Sequence, residues 1–162
     1  MSQPQLLVDV AEVLDRLGVA WWLSDGAALG CVRDGRFLDT DPDVDIGLWA
    51  EDEAAVRAVL DAEGWQPHPQ SIDPTYLRHG VKLDLHGHVR DGDTVAFVLG
   101  RQWRYRFSGR LFDRFEVYTF YGLEVRVPSP AGQYLTEHYG DWRTPQGGWQ
   151  WRTDPPCVER AC

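Results

Sequence analysis

Two aspartates, Asp43 and Asp45, alternate with the apolar residues Val44 and Ile46 in a short acidic segment. On a β-strand, side chains two residues apart point to the same face, so both carboxylates would project together while the apolar side chains enter a core. Adjacent carboxylates repel each other, and a cation between them relieves the repulsion. Oxygen ligands of this kind suit Mg²⁺ or Mn²⁺. An Asp-x-Asp pair is also common in solvated turns and at strand edges, so the pair alone leaves both interpretations open.

A third acidic residue, Asp84, lies in a segment that alternates strictly between apolar and polar residues. The alternation predicts a strand, Val81–His86, with Lys82, Asp84 and His86 on one face. If this strand neighbours that of the acidic pair, the three carboxylates suffice to bind two divalent ions. Taken alone, Asp84 is equally well explained by a salt bridge to Lys82 or to an arginine. His86 and His88 are weaker candidates, because a His-x-His pair on a strand is more often part of the fold than a metal site.

Residues 24–26, Ser-Asp-Gly, follow a predicted strand and open a predicted helix. Free backbone amides at the start of a helix attract phosphate, and the hydroxyl of Ser24 adds a donor. A serine before a helix is also a common N-cap, which leaves a purely structural role open. Asp39, Asp41 and Pro42, between these residues and the acidic pair, indicate a second turn.

Hydrophobic periodicity predicts the elements that would position these residues. Helices are predicted over Leu6–Leu17, Ala27–Arg33, Glu51–Glu63 and Pro130–Tyr139. Strands are predicted over Val19–Leu23, Val44–Trp49, Val81–His86, Val95–Leu99, Phe115–Phe120 and Leu123–Val127. This order indicates an α+β fold of α/β type, with a mixed β-sheet and helices packed mainly on one face. We expect residues 1–142 to form this domain and residues 143–162, rich in Trp, Gly and Pro, to form an irregular C-terminal tail.

The composition disfavours several classes of function. With 162 residues, 43% of them hydrophobic, the chain is long enough for one globular domain. The formal net charge is −9 and Lys82 is the only lysine, a balance that disfavours a nucleic-acid partner. No apolar run approaches the length of a membrane span and the N-terminus lacks a signal peptide, so we expect a cytoplasmic protein. The three cysteines are too few and badly spaced for a zinc site.

The order of these motifs resembles the nucleotidyltransferase fold, in which a phosphate-binding turn and three carboxylates assemble around metal. More closely, the segments Leu23–Leu38 and Asp43–Gly47 resemble the LicD/fukutin family. The pattern of that family begins approximately Leu-Ser-Gly-Gly-Thr-Leu-Leu-Gly-Ala-Val-Arg and ends Asp-Asp-Asp-Ile-Asp-Ile. Residues 83–85, Leu-Asp-Leu, are similar to a later Val-Asp-Ile segment, and Tyr139–Trp142 to a Tyr-Gly-Asp-Trp segment.

The chain departs from this pattern at three informative positions. Asp25 replaces the first glycine of the turn, Ala27 replaces a small hydroxyl residue, and Pro42 interrupts the acidic triplet. The carboxylate of Asp25 stands where the resemblance places a phosphate, so this departure puts the usual mode of phosphate binding in doubt.

The resemblance implies metal-dependent transfer of a nucleotidyl or phospho-alcohol group to a hydroxyl acceptor. LicD transfers phosphocholine from CDP-choline, and fukutin-type members transfer ribitol phosphate from a CDP donor. By analogy, Mg²⁺ or Mn²⁺ would be the cofactor, bound by Asp43, Asp45 and Asp84. Asp43 and Asp45 would hold it against the diphosphate of the donor, and Asp84 would bind a second ion and help to deprotonate the acceptor.

The resemblance assigns the substrate-binding residues to the turn and the helix after it. Ser24 and the amide of Gly26, on either side of Asp25, would contact the donor phosphate. Arg33 would neutralise charge on the leaving group, unless it forms a salt bridge with a nearby aspartate. Two other functions stay open: a small nucleotidyltransferase acting on a small molecule or protein, and a degenerate, non-catalytic metal- or ligand-binding domain. Nothing in the sequence indicates a protein partner.

Overall fold

The computed structural model describes residues 1–69, 71, 74–99, 102–150 and 154–160. The α-helices in this part of the chain are α1 (Gln3–Leu17), α2 (Asp25–Leu29), α3 (Ala50–Ala62) and α4 (Ala131–Tyr139). The strands are β1 (Trp21–Leu23), β2 (Asp43–Trp49), β3 (Gln66–Pro67), β4 (Thr75–Arg78), β5 (Val81–Asp91), β6 (Thr94–Leu99), β7 (Trp103–Ser108), β8 (Phe115–Phe120), β9 (Leu123–Pro128) and β10 (Val158–Arg160). A π-helical turn, Gly30–Asp34, continues α2, and a 3₁₀ turn, Gly109–Phe112, follows β7.

The main sheet is mixed, with the order β1-β2-β5-β6-β7-β10. β2 and β5 pair in parallel, and the other pairs among the described strands are antiparallel. β4 pairs with the first residues of β5 and β6 pairs with its last residues, both on the side of β5 that faces away from β2. β3 pairs in turn with β4. β8 and β9 form a separate hairpin. The predicted α+β fold with a mixed sheet is therefore confirmed.

One face of β2 and β5 is apolar and carries helices. Val44, Ile46 and Leu48 of β2 are fully buried, as are Leu83 and Leu85 of β5. Because side chains alternate along a strand, this pattern directs the polar residues of both strands to the opposite face. The helices α1 and α3 contact each other and both strands. Burial of the apolar face thus fixes which residues of β2 and β5 can reach a functional site.

Gly87 of β5 shows how closely α3 packs on this face. A Cβ at this position would lie 2.5 Å from the carboxylate of Glu53 and 3.3 Å from Cα of Ala50. The glycine therefore allows the first turn of α3 to rest directly on the strand.

Several elements differ from those predicted by the sequence. α2 begins at Asp25, two residues earlier than expected, and gives way to the π-helical turn at Gly30. β3, β4 and β7 were not predicted, although Trp103, Tyr105 and Phe107 alternate with polar residues along β7. The tail is not irregular throughout, because β10 pairs with β7 and satisfies the backbone groups of that edge. No helix in the described ranges is long and apolar enough to cross a membrane.

A buried histidine lies in the aromatic core beside the polar face. The His88 ring of β5 is 5.0 Å from the Trp22 ring, 4.6 Å from Phe97 and 5.5 Å from Phe112, between ring centroids. Its Nδ1 lies 2.7 Å from the carbonyl oxygen of His86. Burial lowers the pKa of His88 to about 3, because this apolar setting disfavours the charged imidazolium.

This burial predicts acid-sensitive stability. In the unfolded chain a histidine takes up a proton near pH 6.5, whereas folded His88 stays neutral down to about pH 3. Its contribution is therefore complete above pH 6.5 and declines as the pH falls. Between pH 8 and pH 5 the unfolding free energy of the wild type should fall by about 2 kcal/mol more than that of His88→Gln.

Urea denaturation followed by tryptophan fluorescence at pH 8, 6.5 and 5 measures the difference. His79→Asn, in an exposed turn, is the matched control and should keep the slope of the wild type. Parallel pH curves for the wild type and His88→Gln would contradict the prediction.

Candidate active site

The floor of the candidate site is built from two neighbouring strands. Asp43 and Asp45 lie on β2, and the parallel register places Asp43 beside Lys82 and Asp45 beside Asp84 on β5. All four side chains are on the polar face, because the alternate residues enter the core. The structure thus brings together the three carboxylates that the sequence predicts as metal ligands. Two of these three, Asp45 and Asp84, are buried.

Lys82 holds two of the carboxylates by direct ion pairs. Its Nζ donates to Asp43 Oδ2 at 2.6 Å and lies 3.0 Å from Asp84 Oδ2. Partial burial works against the charged form, but these two carboxylates outweigh burial and raise the pKa of Lys82 above its usual value. The other oxygen of Asp84 accepts a hydrogen bond from the hydroxyl of Thr75 on β4. The salt bridge that the sequence offered as an alternative for Asp84 is therefore present.

Asp45 and Asp41 have too little positive charge near their carboxyl groups to offset burial. Burial, together with the negative charges of Asp41 and Asp25, raises the pKa of Asp45 to about 8, although His86 works in the opposite direction. Nε2 of His86 is 3.5 Å from Asp45 Oδ1. Burial and the charges of Asp43 and Asp25 raise the pKa of Asp41 to about 6. Both carboxyl groups therefore resist ionisation within the protein.

Asp41 was predicted to belong to a turn, and its carboxylate faces the site. A Cβ at Gly26 would lie only 1.7 Å from Asp41 Oδ2 and 3.5 Å from Asp45 Oδ2. Glycine at the start of α2 therefore leaves the space that the carboxylate of Asp41 occupies. The acidic triplet of the family pattern was the available signal for Asp41, but Pro42 obscured it.

Asp25 adopts the backbone conformation of the glycine that it replaces. Its φ is +41°, in the left-handed region that most residues avoid. The carboxylate does not face an open phosphate site. It lies 3.2 Å from Nε2 of His138 on α4 and 3.6 Å from Nε2 of His86, and it accepts a hydrogen bond of 2.6 Å from Ser24 Oγ. Burial alone would raise the pKa of Asp25, but His138, His86 and Ser24 outweigh it and hold the pKa far below its ordinary value.

The contacts of Asp25 engage two of the predicted substrate-binding residues, Ser24 and Asp25 itself. Ser24 is fully buried and its hydroxyl donates to Asp25, so neither side chain is free to hold a phosphate. Gly26 lines the cavity. His138 was not predicted, and no sequence signal links it to Asp25, more than a hundred residues earlier. The alternation of β5 predicted that His86 shares the face of Asp84, and its ring lies near the carboxylates of Asp25 and Asp45.

Arg33, at the π-helical turn, links the floor of the site to its outer wall. Its guanidinium makes two hydrogen bonds of 2.9 Å with the carboxylate of Asp34. Nη1 also donates to the carbonyl oxygen of Trp142 at 3.4 Å. The alternative salt bridge predicted for Arg33 is therefore present, although the residue still lines the cavity.

The polar face opens into a cavity of about 840 Å³. Its floor contains the carboxylates and Lys82, and one side is formed by Tyr105, His138 and Tyr139. Another wall is formed by Trp142 and residues 144–149 of the tail. Nε1 of Trp142 donates to the Gly132 carbonyl at 3.1 Å, which fixes this wall to α4. The volume is in the range of small-molecule sites.

The chemistry of the donor set fits a hard divalent cation. Asp25, Asp41, Asp43, Asp45 and Asp84 all line the cavity, whereas Lys82 and Arg33 are its only lysine and arginine among the described residues. Burial first, and neighbouring carboxylates second, raise the pKa values of Asp41 and Asp45, so a cation beside them would favour their ionised forms. Carboxylate oxygens are the ligands that Mg²⁺ and Mn²⁺ prefer.

The three predicted metal ligands do not surround a single point. In the part of the chain that the structure describes, no three acidic, histidine or cysteine side chains converge as a metal site. Lys82 Nζ lies between the carboxylates of Asp43 and Asp84 instead. A metal that bound all three predicted ligands would therefore have to displace the ammonium group.

Comparison with known proteins shows which family this chain resembles. Residues 18–76 match the family described as LicD/FKTN/FKRP, nucleotidyltransferase domain. The ribitol-5-phosphate transferase FKTN of Homo sapiens is 30% identical over 175 residues, which cover 98% of this chain and 37% of that protein. The chain thus spans little more than a third of the length of this curated relative. The predicted resemblance to the LicD/fukutin family is confirmed.

Two solved structures share the fold. The lincosamide antibiotic adenylyltransferase LnuA, in its lincomycin-bound crystal structure, superposes with a TM-score of 0.59 at 18% identity, over 83% of this chain and 85% of that one. ANT(2'')-Ia, in complex with adenylyl-2''-tobramycin, gives a TM-score of 0.61 at 17% identity, over 91% and 81%. At these identities the similarity establishes the fold alone, which is that of the nucleotidyltransferases.

The pair of Asp25 and His138 should be strongly coupled in stability. Removing one partner of this buried contact leaves a polar group of the other without its hydrogen-bond partner, at a cost of about 1–3 kcal/mol. At pH 7 we expect Asp25→Asn and His138→Gln each to destabilise the protein, and the double variant to lose about 1–3 kcal/mol less than the sum of the two. Urea denaturation of the four proteins measures this coupling.

The exposed pair Arg36–Asp39 provides a matched control. A cycle of Arg36→Gln and Asp39→Asn should show no measurable coupling, because solvent screens that pair. Strict additivity in the Asp25–His138 cycle would contradict the structural role assigned to Asp25.

Proposed function

Because residues 18–76 of this chain match the nucleotidyltransferase domain of the LicD/FKTN/FKRP family, we propose that the chain catalyses metal-dependent transfer of a phospho-alcohol group. The donor is a nucleotide-activated alcohol, and the acceptor is a hydroxyl group. The relative named as a ribitol-5-phosphate transferase supports a phospho-alcohol rather than a nucleotidyl group as the group transferred.

One observation carries the proposal. The parallel register of β2 and β5 sets Asp43 and Asp45 beside Lys82 and Asp84 on a polar face that opens into the cavity. The ion pairs with Lys82 give Asp43 and Asp84 a structural role. They do not explain Asp45, because a buried carboxylate without full compensation lowers stability. A site for a cation and a diphosphate does explain it.

The residues that would hold Mg²⁺ or Mn²⁺ are Asp43, Asp45 and Asp84. A bound ion would supply positive charge for the diphosphate and for the charge that develops on the leaving nucleotide. Asp84 is the proposed acceptor of the proton from the attacking hydroxyl, since Thr75 fixes one of its oxygens. Arg33 lies at the edge of the cavity, where its side chain can meet an anionic leaving group.

The residues of the tail that line the cavity would enclose the substrates. Residues 144–149 close one side of the cavity, and the ring of Trp149 lies 5.2 Å from that of Tyr139, between centroids. Enclosure excludes water, which would otherwise compete with the acceptor hydroxyl for the phosphoryl group. A transferase, unlike a hydrolase, depends on this exclusion.

A second function is favoured by Asp25. Its carboxylate and the engaged Ser24 remove two phosphate-binding groups from the turn, as expected of a degenerate domain that binds a metal or ligand without turnover. Nucleotide binding and turnover distinguish this function from the transferase.

Calorimetric titration in the presence of Mn²⁺ tests the proposal. CDP-choline, CDP-ribitol, CTP and ATP are titrated into the wild type and into Asp43→Asn/Asp45→Asn, and CMP release is followed with a polyol acceptor. We expect a CDP-alcohol to bind only with metal, and at least about tenfold more weakly to the double variant, a loss of about 1.4 kcal/mol. Asp39→Asn, in the exposed turn before the site, is the control and should bind like the wild type.

The other outcomes discriminate among the alternatives. A preference for ATP would favour a small nucleotidyltransferase, and metal binding without nucleotide binding would favour the degenerate domain. Absence of both metal and nucleotide binding would overturn the assignment of Asp43 and Asp45.

A further inference from the structure

Lys82 occupies the position of a bridging cation in the site. Its Nζ is 2.6 Å from Asp43 Oδ2 and 3.0 Å from Asp84 Oδ2, so one positive charge joins carboxylates from two strands. The register pairs Lys82 with Asp43, and the side chain shares the polar face with both carboxylates. These two carboxylates are also two of the three proposed metal ligands.

A divalent ion and the ammonium group cannot both hold this position, because like charges at such distances repel each other strongly. The Lys82 side chain is 33% exposed and lines the cavity, so it has room to move away from the carboxylates. Lysine suits such a role better than arginine, since its compact charge sits on a flexible stem of four carbons. Lys82 is also the single lysine among 16 basic residues.

On the basis of the proposed function, we propose that Lys82 is an exchangeable internal cation. Without metal it bridges Asp43 and Asp84 and holds the two strands' carboxylates together. When a divalent ion binds these carboxylates, the ammonium group is displaced into the cavity, where it binds a phosphate of the donor. Lys82 is therefore both a competitor of the metal and a substrate-binding residue.

This exchange couples the two ligands. When metal binds alone, it must displace Lys82, and the ammonium group loses its two carboxylate partners. When the donor binds as well, the ammonium group gains a phosphate as its new partner. The affinity for metal should therefore rise when the donor is present, and the affinity for the donor should rise equally when metal is present. Removing the ammonium removes this part of the coupling and leaves only the direct attraction between the metal and the diphosphate.

Metal binding without nucleotide tests the competition. Free Mn²⁺ is measured by electron paramagnetic resonance in titrations of the wild type, Lys82→Met and Arg36→Met. We expect Lys82→Met to bind Mn²⁺ alone at least tenfold more tightly than the wild type, and CDP-choline in the presence of Mn²⁺ at least tenfold more weakly. Arg36→Met removes the same charge from an exposed position and should change the Mn²⁺ affinity less than twofold.

The side chain can also be observed directly in the wild type. Because the chain has one lysine, protein labelled with ¹⁵N-lysine gives a single side-chain ammonium signal in nuclear magnetic resonance spectra. Saturation with Mg²⁺ should shift this signal, and subsequent addition of CDP-choline should shift it again. This measurement needs no variant, so it holds even if Lys82→Met fails to fold.

The outcomes separate this inference from the proposed function. Equal Mn²⁺ affinity of the wild type and Lys82→Met, or an ammonium signal that Mg²⁺ leaves in place, overturns the exchange even if the protein turns over a CDP-alcohol. Tighter Mn²⁺ binding by Lys82→Met, together with absence of turnover by the wild type, supports the competition and overturns the transferase. No Mn²⁺ binding by either protein overturns both.

Discussion

The constraint on which the structure depends is the concentration of negative charge on one face of β2 and β5. Parallel pairing places the carboxylates of the two strands side by side, and burial of the opposite face by α1 and α3 prevents them from turning away. A shift of one residue in either strand would send its apolar side chains into the cavity, so the register cannot relieve the repulsion. The protein must therefore balance this charge with groups from elsewhere in the chain.

The compensating groups connect distant parts of the fold. His138 brings α4 to the turn at Asp25, and Trp142, just beyond α4, fixes the wall of the cavity. Arg33 joins that wall to the π-helical turn through the Trp142 carbonyl. The residues that neutralise charge and those that enclose the cavity are thus neighbours in sequence. Electrostatic balance and the shape of the site are consequences of the same contacts.

The sequence predicted the strands of the site well, because strict alternation directly reports which face is buried. Asp43, Asp45 and Asp84 were placed correctly on one face for this reason. Alternation does not report which strands are neighbours, so the proximity of Lys82 to Asp43 needed the structure. The pairing of Asp25 with His138 could not be predicted, because it depends on the docking of α4. β7 carried an alternating signal that was overlooked, whereas β10 is too short to leave one.

The aspartates of the site fall into two groups by the way in which their charge is balanced. Asp25 has Ser24, His86 and His138 within reach, and these partners favour its ionised form despite burial. Asp41 and Asp45 have no comparable balance, and burial and mutual repulsion keep their pKa values raised. A carboxylate with partners inside the protein contributes to folding, whereas one without them lowers stability until a cation arrives. The replacement of glycine by Asp25 is therefore a structural change within the turn, whereas the carboxylates of Asp41 and Asp45 beside it remain without full compensation inside the protein.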